Sequence, residues 1–384
     1  MPDFYAKQVI GSHPSCLNVL VDHKLKPYYD MLGVCYTMKS LGYTYDENGD
    51  PLITDCQSKD FVAYYPSADS VVAFQALYDN TDGLQDKFVN YWTYTANALA
   101  SNPYVVGFDP LNEPFMGNFL RHYKYLKPGN QDRLALAPMF TRIYNESYKP
   151  ADPESVMWFE PNQVPDTVAI GRGYVFPVGY EVPPGGEIGS PYHVLNDHTY
   201  CCAAGAKVCS GGEPTPEAAP FCQSYHDRKL EKRNADAERL GVPLFISEFG
   251  ACLTEDSCRP EINSAADAAD RYLAGWCYWQ FKNYADLTTT AGTGSEGFYN
   301  EDGTLQAWKV KALARTYMPY TQGTLTSQSF DTTTGLFNAS FVFNATVNAP
   351  SVIYTSSEYW YTNMRVCTVS HNGTELTAKD YHWD

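Results

Sequence analysis

The stretch 104–115 constrains the fold of this chain more than any other part of the sequence. It reads Tyr-Val-Val-Gly-Phe-Asp-Pro-Leu-Asn-Glu-Pro-Phe and joins a short apolar run to a polar tip formed by Asn112, Glu113 and Pro114. An apolar run of this kind is typical of a parallel strand that is covered on both faces, and the tip ends it. We therefore expect a buried strand with a carboxyl group at its carboxyl end, where an α/β barrel carries its functional residues.

A second stretch, 242–250, repeats this design. The run Val-Pro-Leu-Phe-Ile-Ser leads into Glu248, Phe249 and Gly250. One glutamate at a strand end is most often a solvated loop residue or an ion-pair partner. Two carboxyls at the strand ends of one barrel can face the same pocket, and such a pair is what cleavage of a glycosidic bond requires. The two motifs together therefore favour glycosidase chemistry over a structural role.

Strands and helices alternate around these motifs, which predicts an α/β fold with a parallel sheet. Periodic apolar positions predict helices over 84–99, 137–148, 225–240 and 264–273. Apolar runs predict further strands over 155–160, 195–200 and 275–281. Ser264 is expected to cap the last of these helices, and Glu160 at a strand end is interpreted as structural.

The pattern of the chain changes near Thr324, where apolar and polar residues begin to alternate. Alternation with a period of two is typical of strands in a β-sandwich. We therefore assign residues 1–318 to a barrel domain and residues 319–384 to a C-terminal β-sandwich domain.

The two motifs resemble those of a known family. Asn112-Glu113-Pro114 and Ser247-Glu248-Phe249-Gly250 resemble the acid/base and nucleophile motifs of family 5 glycoside hydrolases, which are retaining enzymes with a (β/α)8 TIM-barrel fold. Together with these, the segments 195–201 and 276–282 most resemble the endoglycoceramidase branch, which cuts between the glycan and the ceramide of glycosphingolipids. The resemblance covers about residues 1–318 and implies that Glu113 is the acid/base and Glu248 the nucleophile.

The same resemblance implies four substrate-binding residues and no metal or organic cofactor. Asn112 would hydrogen-bond the sugar 2-hydroxyl, and Trp279 would stack on the sugar at the cleavage point. His198 would help to position substrate, and Tyr200 would hydrogen-bond the nucleophile. Because residues two apart in a strand point to the same side, His198 and Tyr200 are expected to face the site together.

Both ends of the chain bear on the expected fold. Residues 1–6 resemble the segment that follows the third barrel strand in this family, so we expect a TIM barrel that lacks its first strands. This barrel would be unclosed, and the C-terminal β-sandwich would be partial. The sequence opens with no signal peptide, and no apolar run approaches the roughly 18 residues of a transmembrane helix.

Charge and cysteine content limit the partners and the compartment. A net charge of −17 and a pI near 4.8 argue against a nucleic-acid partner and against electrostatic binding to anionic membranes. Eleven cysteines without a C-x-x-C pair favour disulfides over zinc. We expect Cys252 to pair with Cys258, and a bridge within the group of Cys201, Cys202, Cys209 and Cys222. These cysteines and four glycosylation sequons predict a secreted or lysosomal glycoprotein.

The leading hypothesis is therefore a retaining hydrolase that acts on glycosphingolipids, with transient contact with a lipid surface. One alternative is another family 5 β-glycosidase that acts on glucosylceramide, a steryl glucoside or a β-glucan. An alternative from another class is an inactive fragment or a non-catalytic glycan-binding protein. A pocket with apolar walls on the leaving-group side would favour a lipid, whereas an open polar groove would favour a polysaccharide.

Overall fold

A five-stranded parallel sheet organises the first part of the molecule. The computed structural model describes residues 37–56, 58, 64–163, 175–201, 209–210, 213–250, 254–281, 296–300, 302–362 and 368–375. Its sheet consists of β1 (Gly107–Phe108), β2 (Val156–Phe159), β3 (His193–Thr199), β6 (Leu244–Phe249) and β7 (Gly275–Trp276), hydrogen-bonded in that order and all parallel. A hairpin of β4 (Cys209–Ser210) and β5 (Glu213–Pro214) lies between β3 and β6 in sequence. The carboxyl ends of all five strands consequently meet at one edge of the sheet.

Helices connect these strands, as the alternating pattern predicts. They are α1 (Ile53–Cys56), α2 (Ala68–Tyr78), α3 (Leu84–Leu99), α4 (Ala137–Ile143), α5 (Lys149–Ala151), α6 (Ala219–Leu240), α7 (Glu255–Tyr272) and α8 (Ala307–Leu313). Segments Asp132–Leu136 and Tyr144–Tyr148 on either side of α4 are π-helical. The expected helix over 84–99 is confirmed, and α6 ends as predicted at Gly241, whose φ of +66° is the left-handed conformation that a glycine cap adopts readily.

The predicted start of the helix before β7 is wrong. The helix α7 begins at Glu255, and Ser264 lies inside it instead of capping it. Its buried face already includes Cys258 and Ile262 and continues through Ala265 and Ala269, at helical spacing. Packing of this whole face decides the length of the helix, and Pro260 near its start does not prevent it.

The expectation that the first motif strand is covered on both faces is also wrong for the described residues. Val106 is 67% exposed and Tyr104 is 91% exposed. The reason is that β1 contains only two residues and pairs with β2 alone within the described sheet. β1 is therefore an edge strand here, while β3 at the centre of the sheet is almost entirely buried.

Contacts between Cα atoms divide the chain into two units, Met1–Lys309 and Val310–Asp384. In the second unit β8 (Tyr317–Tyr320) pairs with β11 (Val352–Tyr354), β9 (Gly323–Phe330) with β10 (Phe337–Phe343), and β12 (Ser370–His371) with β13 (Thr374–Glu375), each antiparallel. Phe337 and Phe341 in β10 are half-buried, and Asn338 and Ser340 between them are exposed, so the period-two pattern is confirmed. The domain boundary at residues 318 and 319 stays a prediction.

None of the helices in the described ranges is both long enough and apolar enough to cross a lipid bilayer.

Candidate active site

The two motif glutamates lie together at the carboxyl edge of the sheet. Glu113 follows β1, and Glu248 is the fifth residue of the six-residue strand β6. Their carboxylate oxygens and a ring nitrogen of His198 all lie within 4.8 Å of one another. Carboxyl groups about 5 Å apart are typical of retaining glycosidases, whereas inverting enzymes need about 6.5–9.5 Å to accommodate a water molecule. The separation is the one that a double displacement requires.

His198 lies beneath both carboxylates. Its Nδ1 is 2.8 Å from Oε1 of Glu113 and 3.4 Å from Oε2 of Glu248, and its Nε2 is 3.3 Å from Oε1 of Glu160. The side chain is only 2% exposed. The structure therefore brings His198 to the site, but in contact with the carboxylates and not open to solvent.

The charges around His198 determine its protonation. Burial alone would lower its pKa, but the negative charges of Glu160, Glu113 and Glu248 outweigh burial and raise the pKa of the imidazole well above its ordinary value. Burial also raises the pKa of Glu248, and the nearby His198 partly offsets that rise. The imidazolium therefore compensates negative charge that would otherwise be costly to bury.

Tyr200 contacts the second carboxylate, as the family resemblance implied. Its phenolic hydroxyl donates a hydrogen bond of 2.9 Å to Oε2 of Glu248. Burial, followed by the charge of Glu248, raises the pKa of Tyr200 well above its ordinary value, so the phenol keeps its proton at neutral pH. Tyr200 and His198 lie two residues apart on the same side of the chain and hold Glu248 from two directions.

Glu113 has an unusual backbone conformation. Its φ is +44°, in the left-handed region, where a residue with a side chain costs about 1–2 kcal/mol. The backbone N–H of Glu113 donates a hydrogen bond of 3.1 Å to Oε2 of Glu160. In the next residue, Pro114, the carbonyl oxygen accepts a hydrogen bond of 3.4 Å from the backbone N–H of Gln163. The turn that carries Glu113 is thus held by the chain that follows β2.

Two further carboxyls, Glu160 and Asp109, belong to the site but were not assigned to it from the sequence. Glu160 is fully buried, and burial raises its pKa well above the ordinary value. It hydrogen-bonds Asp109, which in turn accepts a hydrogen bond of 2.7 Å from Nδ2 of Asn196. Asp109 follows β1 directly, so the rule that finds strand-end carboxyls could have found it. The interpretation of Glu160 as a purely structural residue overlooked its contact with Glu113.

The remaining predicted residues lie at the mouth of the site. Asn112 precedes Glu113 directly and is exposed. Trp279 is 36% exposed and forms a backbone bridge with Gly250, two residues after Glu248. Both side chains are accessible to a ligand, and their sugar-binding roles stay predictions, as do the catalytic roles of the two glutamates.

The donor atoms at the centre of the site are used on one another. Nδ1 of His198 lies at hydrogen-bond distance from Glu113, and one oxygen of Glu248 accepts from Tyr200. We therefore assign the cluster to acid–base chemistry and not to metal binding. The hydrogen bonds keep the carboxyls close together, and the acidic side chains remain partly open to solvent at the top of the sheet.

A disulfide lies next to the site. Cys201 directly follows Tyr200 and is bonded to Cys222, so the expected bridge within that group is confirmed. Cys258 is also disulfide-bonded. Its expected partner Cys252 lies outside the described residues, and that pairing stays a prediction. The Cys201–Cys222 bridge attaches the end of β3 to the start of α6.

Two family models match separate parts of the chain. The model for cellulase of glycosyl hydrolase family 5 matches residues 190–285, and the model for the glycoside hydrolase family 5 C-terminal domain matches residues 315–382. The first range contains His198, Tyr200, Glu248 and Trp279. The second covers the antiparallel strands from β8 onward.

The chain is similar in sequence to endoglycoceramidases. The endoglycoceramidase of Cyanea nozakii is 26% identical over 318 residues, which are 83% of this chain and 58% of that protein. The endoglycoceramidase of Hydra vulgaris is 26% identical over 318 residues, 83% of this chain and 54% of that protein. The chain thus spans little more than half the length of these curated relatives.

Solved structures show the same fold. The lactosyl-enzyme intermediate of endo-glycoceramidase II from Rhodococcus sp. superposes with a TM-score of 0.57 at 23% identity, over 77% of this chain and 60% of that one. Its complex with ganglioside GM3 gives a TM-score of 0.57 at 22% identity, with the same coverage. The expected fold, part of a (β/α)8 TIM barrel followed by a β domain, is confirmed. Together with the two family models, the relatives in sequence place the chain in the endoglycoceramidase-like branch of glycoside hydrolase family 5.

Proposed function

We propose that the protein is a retaining glycoside hydrolase that cleaves the β-glycosidic bond between the glycan and the ceramide of glycosphingolipids. The observation that supports this most directly is the close approach of Glu113 and Glu248, within 4.8 Å at the carboxyl edge of the sheet. This separation favours attack by one carboxylate on the sugar while the other acts on the leaving oxygen.

In the first step Glu113 donates its proton to the glycosidic oxygen while a carboxylate oxygen of Glu248 attacks the anomeric carbon. The bond from that carbon to the leaving oxygen breaks, ceramide leaves as an alcohol, and the glycan is held as an ester of Glu248. In the second step Glu113 takes a proton from water, and the resulting hydroxide displaces Glu248. The anomeric configuration is inverted twice and therefore retained.

The surrounding residues have separate roles in this scheme. Tyr200 donates to Glu248 and so favours its ionised form, which is the nucleophile. His198 supplies a positive charge between the two carboxyls when both are ionised, before Glu113 is protonated. Asn112 and Trp279, both accessible, bind the sugar by a hydrogen bond to its 2-hydroxyl and by stacking.

The substrate is proposed from the relatives. Two curated relatives are endoglycoceramidases, and a solved structure with the same fold holds ganglioside GM3. The net charge of −17 suits a substrate that is not polyanionic, and a glycolipid with a neutral core glycan fits it. A lipid substrate would bring the protein into transient contact with a membrane or micelle surface.

We also propose that the protein works in a secreted or lysosomal setting. The Cys201–Cys222 disulfide supports this proposal, because disulfides persist in oxidising compartments. The exposed sequon asparagines Asn145, Asn338 and Asn344 would be accessible to carry glycans there.

Product analysis tests the function. The full chain is incubated with a neutral glycosphingolipid in detergent micelles, with glucosylceramide and a β-glucan as parallel substrates. Release of the intact oligosaccharide and ceramide, lost in Glu113→Gln and Glu248→Gln, is the expected result. Release of sugar from the glucan alone would overturn the proposed substrate, and the match to the cellulase model favours this second candidate over others. Glycan binding without cleavage of any substrate would indicate a non-catalytic protein.

A further inference from the structure

Glu160 occupies a central position in the site without facing the substrate. It follows β2 directly, and none of its surface is exposed. A carboxyl group buried to this extent is rare unless its oxygens have polar partners. The contacts of Glu160 lie on the two structural features that aim the acid/base group.

The first feature is the backbone turn at Glu113. Oε2 of Glu160 accepts a hydrogen bond of 3.1 Å from the backbone N–H of Glu113, and Nε2 of Gln163 donates to the same oxygen at 3.4 Å. Gln163 also binds the carbonyl oxygen of Pro114 through its backbone N–H. Because φ of Glu113 is +44°, this turn needs external hydrogen bonds to persist.

The second feature is the imidazole of His198. Oε1 of Glu160 lies 3.3 Å from Nε2 of His198, an ion-pair distance without the alignment of a hydrogen bond. The opposite ring nitrogen, Nδ1, meets the carboxylate of Glu113 at 2.8 Å. The contacts at its two nitrogens thus limit the imidazole, and one of the two groups in contact with it is Glu160.

We propose that Glu160 is a positioning residue for the acid/base group: its carboxyl holds the backbone turn at Glu113 and supports His198 against the side chain of Glu113. Glu160 touches no substrate atom in this scheme and acts only through these two residues. The proposal rests on the proposed function for its kinetic test, but the hydrogen bond to Glu113 can be measured without any activity.

Two substitutions separate reach from charge. Glu160→Asp keeps a carboxyl but shortens the side chain by one methylene, so it withdraws the oxygens from the Glu113 N–H. Glu160→Gln keeps the length and an oxygen that can accept this N–H. The matched control is Glu154→Gln, the same neutralisation at an exposed position before β2.

The kinetic readout compares two leaving groups. Protonation by Glu113 matters for an alkyl glycoside and hardly for a dinitrophenyl glycoside, whose leaving group needs no proton. We expect Glu160→Asp to lower kcat/KM for the alkyl glycoside by about 100-fold, since misplacing a group by about 1 Å can cost that much. The loss for the dinitrophenyl glycoside should be less than about 10-fold, and Glu160→Gln should lose less than about 10-fold on both substrates. Equal losses on both substrates, or unchanged kinetics in Glu160→Asp, would overturn the proposal.

An NMR measurement keeps the test independent of turnover and of the folding of any variant. The amide resonance of Glu113 is identified in glutamate-labelled wild-type protein by its absence in Glu113→Gln. An amide proton bound to a buried carboxyl should exchange slowly with solvent and lie downfield, and Glu160→Asp should move it upfield whereas Glu160→Gln should not. If wild-type protein cleaves neither glycoside, the proposed function fails, and this resonance alone decides the role of Glu160. Exchange of the wild-type amide at the rate of an exposed loop would overturn the proposal.

Discussion

The two carboxyls of the site are held in place by different means. Glu248 lies within a regular six-residue strand, its side chain is 16% exposed, and a tyrosine from the neighbouring strand binds it. Glu113 lies beyond a two-residue strand, has a left-handed backbone, and its side chain is 32% exposed. The nucleophile position is thus fixed by sheet pairing, and the acid/base position by hydrogen bonds from outside its own strand.

This difference has a chemical rationale. A nucleophile attacks one atom along one direction, and a strand with paired neighbours fixes that direction. An acid/base group acts on the leaving oxygen in one step and on water in the next, so it needs access to solvent as well as a defined position. His198, which lies within reach of both carboxyls, links the two arrangements. Variants that affect one carboxyl and not the other can therefore test the comparison.

The largest expected effects come from neutralising each carboxyl in turn. Glu248→Gln removes the nucleophile and should abolish cleavage of all glycosides, a loss of several orders of magnitude. Glu113→Gln should cost about 10²–10⁴-fold on an alkyl glycoside, the usual contribution of general acid–base catalysis. With a dinitrophenyl glycoside it should still form the glycosyl-enzyme, which then accumulates because no base activates water.

Intact-protein mass spectrometry checks this prediction. Glu113→Gln exposed to the dinitrophenyl glycoside should gain the mass of one glycosyl group, and Glu248→Gln should gain none. Exposed Glu154→Gln serves as the control and should turn over normally. Accumulation of the adduct in Glu248→Gln instead would reverse the assignment of the two roles.

Much of this site follows from the sequence because its residues sit at strand ends. Glu113 and Glu248 are each preceded by an apolar run, and the spacing of His198 and Tyr200 places them on one side of β3. What the sequence does not reveal is which groups a buried residue meets: Glu160 contacts an amide 47 positions earlier. Such contacts depend on how neighbouring strand ends converge.

The same limit explains the two errors in the fold. The length of α7 is set by a buried face that only tertiary packing supplies, so Ser264 was a plausible cap in the sequence alone. Val106 has the composition of a covered residue, but its exposure depends on which strands flank β1 in the described sheet. Local propensity thus predicts that an element exists more reliably than it predicts its ends or neighbours.

A second, smaller effect should reach both carboxyls alike. Asp197 on β3 is fully buried next to His198, and its carboxylate binds Arg233 and lies 3.4 Å from Nζ of Lys229, both on α6. Because Asp197→Asn leaves buried cations without their partner, it should lower the free energy of unfolding by about 3–5 kcal/mol. Urea denaturation measures this, with Glu154→Gln as the control. A loss below about 1 kcal/mol would show that the ion pair is not needed to anchor β3.

The pH dependence of this stability follows from the charges. Burial opposes ionisation of Asp197, but Lys229 and Arg233 outweigh it and hold the pKa of the folded carboxyl well below its ordinary value. A group with a depressed folded pKa stabilises the protein above its unfolded pKa of about 3.9, and this stabilisation is lost as the pH falls toward the folded pKa. The difference between wild type and Asp197→Asn should therefore be constant near neutral pH and shrink below about pH 4.

The smallest effect should separate the two carboxyls most sharply. Tyr200→Phe removes one hydrogen bond to Glu248 and leaves Glu113 untouched. Since a hydrogen bond to a charged group is worth about 1.5–3 kcal/mol, kcat/KM should fall about 10- to 100-fold for alkyl and dinitrophenyl glycosides alike. The bond favours the ionised form and lowers the pKa of Glu248, which burial raises, so its loss should raise that pKa further. The acid limb of kcat/KM against pH, measured with the dinitrophenyl glycoside, should then move to higher pH, while exposed Tyr94→Phe leaves it in place. An unchanged acid limb in Tyr200→Phe would mean that Tyr200 does not control the ionisation of Glu248, and the distinction between the two carboxyls would then rest on backbone geometry alone.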